Sequence, residues 1–447
     1  MFKKILIANR GEIALRIVRT CRDLGIKTVA VHSLIDKDSM HVRLADEAIC
    51  IGKSSIKNSY LNSFAILSAA EISNSDAIHP GAGFFSENYE FASMVKKHKI
   101  NFIGPTNEQI KIYGDKINAK KLMKKNKFPI IPGSDNYLKS IDEAKKIAKK
   151  IGYPVILKAG SGGGGKGIRV IKNQKELVAN YRIVKQEVKN SFGNENIYLE
   201  KFFDNPRHIE IQIVADKKGN VVHLGERDCS IQRNKQKIIE ETPSPTLSDS
   251  QREKICDLVV NTIKKIGYES LGTVELLYKN KKFYFMEMNT RVQIEHTITE
   301  RITGIDLIKQ QIKIAAGQKI SFKQKDVQFS GHSIQCRINA EDPLSFIPSP
   351  GRIEEYHSPG GPGVRIDSAL YAGCIVPHQY DNLISKIIIY SRNRNEAILR
   401  LKRCLIEYVI NGVKTNIPLH LKILNSKDYI KGNYHINWLD KFLSINY

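Results

Sequence analysis

The chain has 447 residues, 41% hydrophobic and 26% charged, which excludes a disordered or fibrous protein and accommodates about three domains of ~150 residues each. Its one unusual number is a formal charge of +24, from 70 Lys and Arg against 46 Asp and Glu. The excess is mostly lysine, dispersed at amphipathic helical spacing, so it reads as solvated surface and argues against nucleic-acid binding. No apolar run approaches the roughly 18 residues of a membrane span, and Met1-Phe2-Lys3-Lys4 leads into only a short apolar strand, so neither a membrane span nor a signal peptide is expected. The seven scattered cysteines never form C-x-x-C, which argues against disulfides or a zinc site and fits a reducing cytoplasm.

The first hundred residues alternate short apolar runs with helical patterns, predicting a parallel α/β, Rossmann-like domain. Ile5 to Ala8 reads as a strand, Glu12 to Leu24 as a helix, Lys27 to Val31 as a strand and Ile100 to Ile103 as another. The loop Asn9-Arg10-Gly11-Glu12 lacks G-x-G-x-x-G, so no dinucleotide cofactor is expected. A helix is predicted over Glu108 to Asn126, with a domain boundary near Gly114. From Val155 the pattern turns to hairpins, with strands at Val155 to Ala159, Ile168 to Ile171, Ile197 to Phe202, Ile209 to Val214, Val221 to Gly225, Thr273 to Tyr278 and Phe283 to Met288. A helix, Asp249 to Ile266, interrupts them. After Phe329-Ser330-Gly331 a third, α+β block opens, with helices at Asn395 to Tyr408 and Ile417 to Leu424.

Six of the eight residues from Gly160 to Gly167 are glycine. The run fits G-x-x-x-x-G-K, but Gly167 stands where Ser or Thr would bind magnesium, and a strand follows instead of a helix. A Walker loop is therefore rejected. What remains is a hairpin tip whose main-chain N–H groups can close over phosphates, with Lys158 on the preceding strand as a point charge. Glu275 and Glu287 flank the turn at Lys279 to Lys282 and fall nearly opposite each other in a hairpin. If the strand pattern continues, Asn289 shares the face of Glu287, giving an oxygen-ligand site suited to Mg²⁺ at nucleotide phosphates. Arg291, Gln293 and Glu295 follow at alternate positions, a cradle for a small anion with Glu295 available as a base. A second polar cluster, Glu226 to Lys237, follows a strand and reads as a solvated loop.

Taken together, these motifs resemble the biotin carboxylases of the ATP-grasp superfamily over essentially the whole chain. The resemblance rests on Ile7-Ala8-Asn9-Arg10-Gly11-Glu12-Ile13-Ala14, His79-Pro80-Gly81-Ala82-Gly83-Phe84, Phe102-Ile103-Gly104-Pro105 and Gly114-Asp115-Lys116. It continues in the glycine run, Glu226-Arg227-Asp228-Cys229-Ser230, Glu287 to His296 and Arg337-Ile338-Asn339-Ala340-Glu341-Asp342-Pro343. It implies a Rossmann-like domain over 1–114, an ATP-grasp domain over 115–330 with a lid about 131–203, and a C-terminal domain over 331–447.

The activity so implied is ATP-dependent carboxylation of biotin on a carrier protein, with bicarbonate as the carbon source and carboxyphosphate as intermediate. By the same resemblance Lys116, Lys158, Gly164, Gly165, Glu200, Lys201, Phe203, His208, Gln232, Lys235, Glu275, Leu277 and Glu287 belong to the ATP site. Glu275, Glu287 and Asn289 would hold two Mg²⁺ or Mn²⁺ ions. Lys237, Arg291, Gln293 and Ile294 would bind bicarbonate, Glu295 would be the base, and Arg337 would stabilise the biotin anion. Ala82, Lys235 and Asn437 depart from the tyrosine, histidine and histidine common in the family, which predicts altered affinities.

No Met-Lys-Met biotinylation motif occurs, so the resemblance implies a separate biotin carboxyl carrier protein. It also implies carboxyltransferase subunits, a homodimer, and the first step of bacterial acetyl-CoA carboxylase in fatty-acid synthesis. A pyruvate or propionyl-CoA system is the alternative. A different ATP-grasp ligase and a nucleic-acid-binding protein are the rival readings.

Overall fold

The computed structural model describes residues 1–160 and 167–446. Five parallel strands, β1 (Lys4–Ile7), β2 (Lys27–Ser33), β3 (Glu47–Gly52), β4 (Ala77–His79) and β5 (Asn101–Phe102), lie in the order β3-β2-β1-β4-β5. Period two sends Ile5 and Ile7 into one apolar cluster with Ile17, Val18 and Cys21, and Leu6 and Ala8 into another with Val29, Val31 and Ile78. Both faces of the sheet are therefore covered, which is why its strands read as unbroken apolar runs. Strand order reverses around β1, and the loops leaving the carboxyl ends of β1 and β4 open the crevice where doubly wound sheets place their ligands. Asn9 joins these loops, its amide donating to Pro80 O at 2.7 Å and Ala82 O at 2.9 Å.

The expected helix from Glu108 to Asn126 is instead two, Asn107–Gly114 and Lys116–Lys125. Asp115 between them is extended (φ −97°, ψ 112°), and its carboxylate accepts the Asn118 N–H at 2.8 Å. A side chain that competes for main-chain donors ends one helix and caps the next, a signal that apolar periodicity does not carry. Three antiparallel strands follow: β6 (Val155–Ala159), β7 (Ile168–Ile171) and β8 (Ile197–Lys201), in the order β7-β6-β8. Helices Ile141–Ile151 and Gln174–Phe192 close over a small core of their own.

The remaining strands are β9 (Arg207–Ala215), β10 (Val221–Arg233), β11 (Gln236–Thr242), β12 (Ser270–Lys279), β13 (Lys282–Asn289), β14 (His332–Asn339), β15 (Gly351–Arg352), β16 (Tyr356–His357), β17 (Val364–Ser368), β18 (Ile375–Val376), β19 (Leu383–Ser391) and β20 (Val409–Ile410). Eight of them form one antiparallel sheet, β13-β12-β9-β10-β11-β14-β19-β17. Strands from either side of residue 330 pair within it, Glu241 facing Ile334 across β11 and β14. The fold is thus mixed α/β, with a parallel N-terminal sheet, a small three-stranded antiparallel sheet and a long antiparallel sheet that runs into the C-terminal part. No helix among the described residues is long and apolar enough to cross a membrane.

Glu226 to Lys237 corrects an expectation. β10 runs through it to Arg233, and Glu226, Arg227, Asp228, Ser230 and Gln232 are buried rather than solvated. Burial is tolerated because each charge has a partner: Arg252 Nε lies 2.7 Å from Glu226, Arg207 Nη1 2.8 Å from Asp228 and Arg227 Nε 2.6 Å from Glu210. A polar string in sequence gives no sign of the opposite charges waiting on other strands.

Glu241 on β11 is the hub between the two sides of the long sheet. It accepts from Arg394 Nε at 2.6 Å and Tyr434 Oη at 2.5 Å, and His332 Nε2 lies at 2.8 Å. Burial opposes its ionisation, but Arg394 and His332 outweigh that and hold the carboxyl well below the usual range. The stabilisation is therefore complete above the ordinary carboxylate pKa and is lost as pH falls through the depressed value. Glu241→Gln leaves the half-buried Arg394 without its counter-charge, and about 2 kcal/mol should be lost. Thermal melts should show a lower midpoint at pH 7 and a smaller difference between variant and parent in acid.

Candidate active site

The β12–β13 hairpin sets Glu275 opposite Glu287 and Thr273 opposite Asn289; the register that starts at Lys279–Lys282 shifts by one residue between Leu276 and Glu275, and that irregularity brings the two glutamates into register. Asn289 Nδ2 donates to Glu275 Oε1 at 2.8 Å, and Lys116 Nζ lies 3.0 Å from Glu287 Oε2. Burial opposes ionisation of Glu275, yet Lys237 and His208 hold its carboxyl far below the ordinary range. An ionised Glu275, a facing Glu287 and the Asn289 amide are hard oxygen donors on one side of a hairpin, which fits Mg²⁺ or Mn²⁺. The ammonium groups now balancing these carboxylates mark the positive charge the site requires.

Lys237, at the start of β11, points into three carboxylates: Glu210 at 2.6 Å, Glu275 at 3.0 Å and Glu295 at 2.6 Å. Burial alone would neutralise it, but these acids raise its pKa well above the usual lysine value, so it stays an ammonium. Behind it Arg227 is fully buried and satisfied. It donates to Glu210 Oε1 at 2.6 Å, Gln212 Oε1 at 2.7 Å, Gln293 Oε1 at 2.8 Å, Thr299 Oγ1 at 3.0 Å and Thr273 Oγ1 at 3.2 Å. Gln293 Nε2 then donates to Glu275 Oε1 at 2.8 Å. Neither Glu210 nor Arg227 was among the expected site residues. The signal was present in β9, where His208, Glu210 and Gln212 alternate with Ile209, Ile211 and Ile213, a polar face behind an apolar one.

Arg337 on β14 donates through Nε to Glu240 Oε1 at 2.6 Å and through Nη2 to Glu295 Oε2 at 3.1 Å. Glu295 is thus held between Lys237 and Arg337, which overcome its burial and keep it ionised. Arg291 donates to Asn289 Oδ1 at 3.0 Å and to Glu87 Oε2 at 2.8 Å. Glu87, also missed in the sequence, comes from the N-terminal unit and ties it to the site. Lys237, Arg291, Ile294 and Arg337 line one cavity of about 880 Å³, together with Arg10 and Ala82 at the crevice of the parallel sheet.

The residues expected at a nucleotide site make the following contacts. Lys158 Nζ on β6 and Lys120 Nζ each lie 2.7 Å from Glu200. Lys201 directs its ammonium to the carbonyls of Gly152 (3.0 Å) and Tyr153 (3.1 Å), leaving the main chain near Phe203 for any ligand contact. The Phe203 ring packs on Tyr284 at 4.6 Å between centroids, and Leu277 pairs with His208 across β12 and β9. Lys235 occupies the β10–β11 turn at φ +65°. Burial and the charges of Lys158 and Lys116 lower its pKa to about 8, the signature of cations crowded around one space. The Asn437 amide reaches only Asn205, at 3.4 Å. Gly164 and Gly165 lie outside the described residues.

His208 Nε2 lies 3.3 Å from Glu275 and 3.7 Å from Glu210, with the Gln232 amide 2.9 Å from Nδ1. Burial lowers its pKa, but Glu275 and Glu210 prevail and raise it to about 9. A group raised above its unfolded value stabilises the fold fully below that value and stops doing so as pH rises through about 9. An NMR titration of His208 should give a midpoint near 9. Glu275→Gln should bring that midpoint down by at least one unit.

Three family models tile the chain: "Biotin carboxylase, N-terminal domain" over residues 1–110, "Carbamoyl-phosphate synthase L chain, ATP binding domain" over 115–323 and "Biotin carboxylase C-terminal domain" over 335–441. The biotin carboxylase of Haemophilus influenzae is 52% identical over 447 residues, with 100% of both chains covered. A Campylobacter jejuni structure described as a biotin carboxylase–β,γ-ATP complex superposes with TM-score 0.97 at 48% identity, covering 99% of each chain. The biotin carboxylase domain dimer of Hydrogenobacter thermophilus 2-oxoglutarate carboxylase, solved with MgADP, ADP and bicarbonate, gives TM-score 0.96 at 48% identity, covering 99% of this chain and 98% of that one. With its parallel crevice, facing carboxylates and Lys237–Glu295–Arg337 cluster, the chain belongs to the biotin carboxylase family, ATP-grasp enzymes.

Proposed function

We propose that this chain carboxylates biotin in two steps, using ATP and bicarbonate. The observation that carries the reading is Glu295, a buried carboxylate kept ionised between Lys237 and Arg337, which line the cavity, with Glu275 of the Glu275–Glu287 pair sharing Lys237. Lys116, Lys158 and Lys235 supply the charge that receives the ATP phosphates, while Glu200, the main chain near Lys201 and Phe203, His208, Gln232 and Leu277 shape the rest of the nucleotide site. Glu275, Glu287 and Asn289 would hold the divalent ions, which supply charge neutralisation at those phosphates.

Bicarbonate sits against Lys237, Arg291, Gln293 and Ile294, and Glu295 takes its proton. A bicarbonate oxygen then attacks the γ-phosphorus, the bond to ADP breaks, and carboxyphosphate forms. Carboxyphosphate separates into CO₂ and phosphate, and that phosphate removes the ureido N–H proton of biotin. The nitrogen attacks CO₂ while Arg337 stabilises the transient anion. In this assignment Gly164 and Gly165 belong to a covering lid that keeps water from the labile intermediate.

By the same reading the units divide at 1–114, 115–330 and 331–447, the chain works as a homodimer in the cytoplasm, and biotin arrives on a carrier protein. Carboxyltransferase subunits then pass the carboxyl group to acetyl-CoA for fatty-acid synthesis. A different acceptor is the second reading, favoured by the likeness to a 2-oxoglutarate carboxylase domain. Pyruvate and propionyl-CoA systems use the same half-reaction.

The direct test is ATP cleavage by the purified chain with bicarbonate and free biotin. Bicarbonate-dependent cleavage stimulated by biotin is expected, and Glu287→Gln should reduce it about a hundredfold. Stimulation by an amino acid instead of biotin points to another ATP-grasp ligase, and full activity in the variant removes the metal assignment. Ala82 lines the cavity without an aromatic ring. Ala82→Tyr should lower the KM for free biotin, and an unchanged KM contradicts that role for position 82.

A further inference from the structure

Lys386, on β19, is fully buried, and none of the expected site roles uses it. Its ammonium lies 2.9 Å from Glu12 Oε2, 3.8 Å from Asp367 Oδ2 and 3.1 Å from the main-chain oxygen of Ile294. Asp367 already has a two-point partner in Arg365, with both bonds at 2.8 Å. Glu12 is the nearer acid, an ion pair outside hydrogen-bond geometry, and it stands in the first turn of helix Gly11–Asp23, on the lining of the crevice cavity. A buried ammonium aimed at a carbonyl oxygen is costly unless that geometry is held on every side.

The carbonyl before it is fixed as well. Gln293 O accepts from His296 N at 3.2 Å and from His296 Nδ1 at 2.7 Å. Burial, and then the charges of Lys386 and Arg16, keep that imidazole neutral, with its proton on Nδ1. Two successive carbonyls are thus drawn to the buried side by His296 and Lys386. In a trans peptide the N–H points opposite to the C=O, so the N–H groups of Ile294 and Glu295 are turned away from that side. Among the described residues neither N–H has a hydrogen-bond partner. Ile294 borders the cavity alongside Lys237 and Arg291, and its apolar side chain leaves only its main chain to meet an anion. Successive unpaired N–H groups beside two cations form a concavity for a small oxyanion.

We propose that Lys386 is a positioning residue for bicarbonate: with Glu12 it clamps the Ile294 carbonyl and so presents the Ile294 and Glu295 N–H groups to the anion. This rests on the biotin carboxylase reading above. The clamp also makes the bicarbonate site depend on the N-terminal unit, which touches the anion nowhere in this scheme.

The experiment compares the parent, Lys386→Met and the double variant Glu12→Gln/Lys386→Met in bicarbonate-dependent ATP cleavage with free biotin, alongside thermal melts. Lys386→Met strands the Glu12 carboxylate and should lower the melting midpoint; the double variant removes both charges and should recover most of it. The KM for bicarbonate should rise at least tenfold in both variants, while the KM for ATP stays within twofold. A merely structural Lys386 predicts that bicarbonate KM recovers together with the midpoint, and that result overturns the proposal. A bicarbonate KM equal to the parent's in the double variant does so even if Lys386→Met fails to fold. Absence of bicarbonate-dependent cleavage in the parent removes the underlying reading instead.

Discussion

The site depends on Glu210, a carboxylate with no access to solvent, gripped by Arg227 at 2.6 Å on one side and Lys237 at 2.6 Å on the other. Burying three charges costs several kcal/mol per ion, and the mutual attraction offsets that only when the geometry is good and the remaining donors are satisfied. Here Arg227 meets five oxygens, and Lys237 meets three carboxylates. The consequence is rigidity. Lys237, Glu275, Gln293 and Glu295 cannot move independently, because each shares a partner with the next. A reaction that generates and consumes anions at fixed positions benefits from dipoles that need no rearrangement at the moment of reaction.

Around that centre the contributors come from distant parts of the chain. Glu87 reaches Arg291 from the N-terminal unit, β11 brings Lys237 and Glu240, and β14 brings Arg337. Lys386 adds a fourth source on β19. Arg291 is tied to Glu87 of the N-terminal unit and Glu295 to Arg337 on β14, so the docking of the N-terminal crevice against the antiparallel sheet helps set the geometry of the cluster. Behind these ion pairs the two meet over a shared apolar cluster, in which Ile5, Ile17 and Val18 pack with Val214, Leu271 and Ile312, so apolar burial holds them together and the ion pairs make the arrangement directional.

Much of this was legible before any coordinates. The turn position placed Glu275 and Glu287 nearly opposite each other, and a one-residue register shift between Glu275 and Leu276, which no sequence pattern signals, completes the pairing. In the first hundred residues the alternation of strand and helix was legible, because such patterns are local, and it placed β1, β2, β5 and the helix Gly11–Asp23 but not β3, β4 or the helices Ser63–Ile72 and Tyr89–Lys97. What escaped was non-local. Arg227 and Glu210 gain their meaning only from each other, across β9 and β10, and an isolated Glu-Arg-Asp string looks solvated until its partners are known. The break at Asp115 escaped for the opposite reason: a single capping side chain overrode a periodicity that continued on both sides. Lys386 sits in an apolar strand, Leu383–Ser391, where a lone lysine ordinarily snorkels to the surface.

The long antiparallel sheet crosses residue 330 without a seam, with β11 and β14 hydrogen-bonded from Ile239–Cys336 to Thr242–Ser333. A cut at that linker would therefore not release two finished bodies. It would expose two raw strand edges, one ending the β13-β12-β9-β10-β11 half and one beginning the β14-β19-β17 half, each with a row of unmet main-chain donors and acceptors. Such edges invite pairing with any available strand, so the two halves are poor candidates for separate expression and good candidates for reassembly with one another when mixed. The sheet thereby makes the chain a single heritable unit, whatever modular history its parts had.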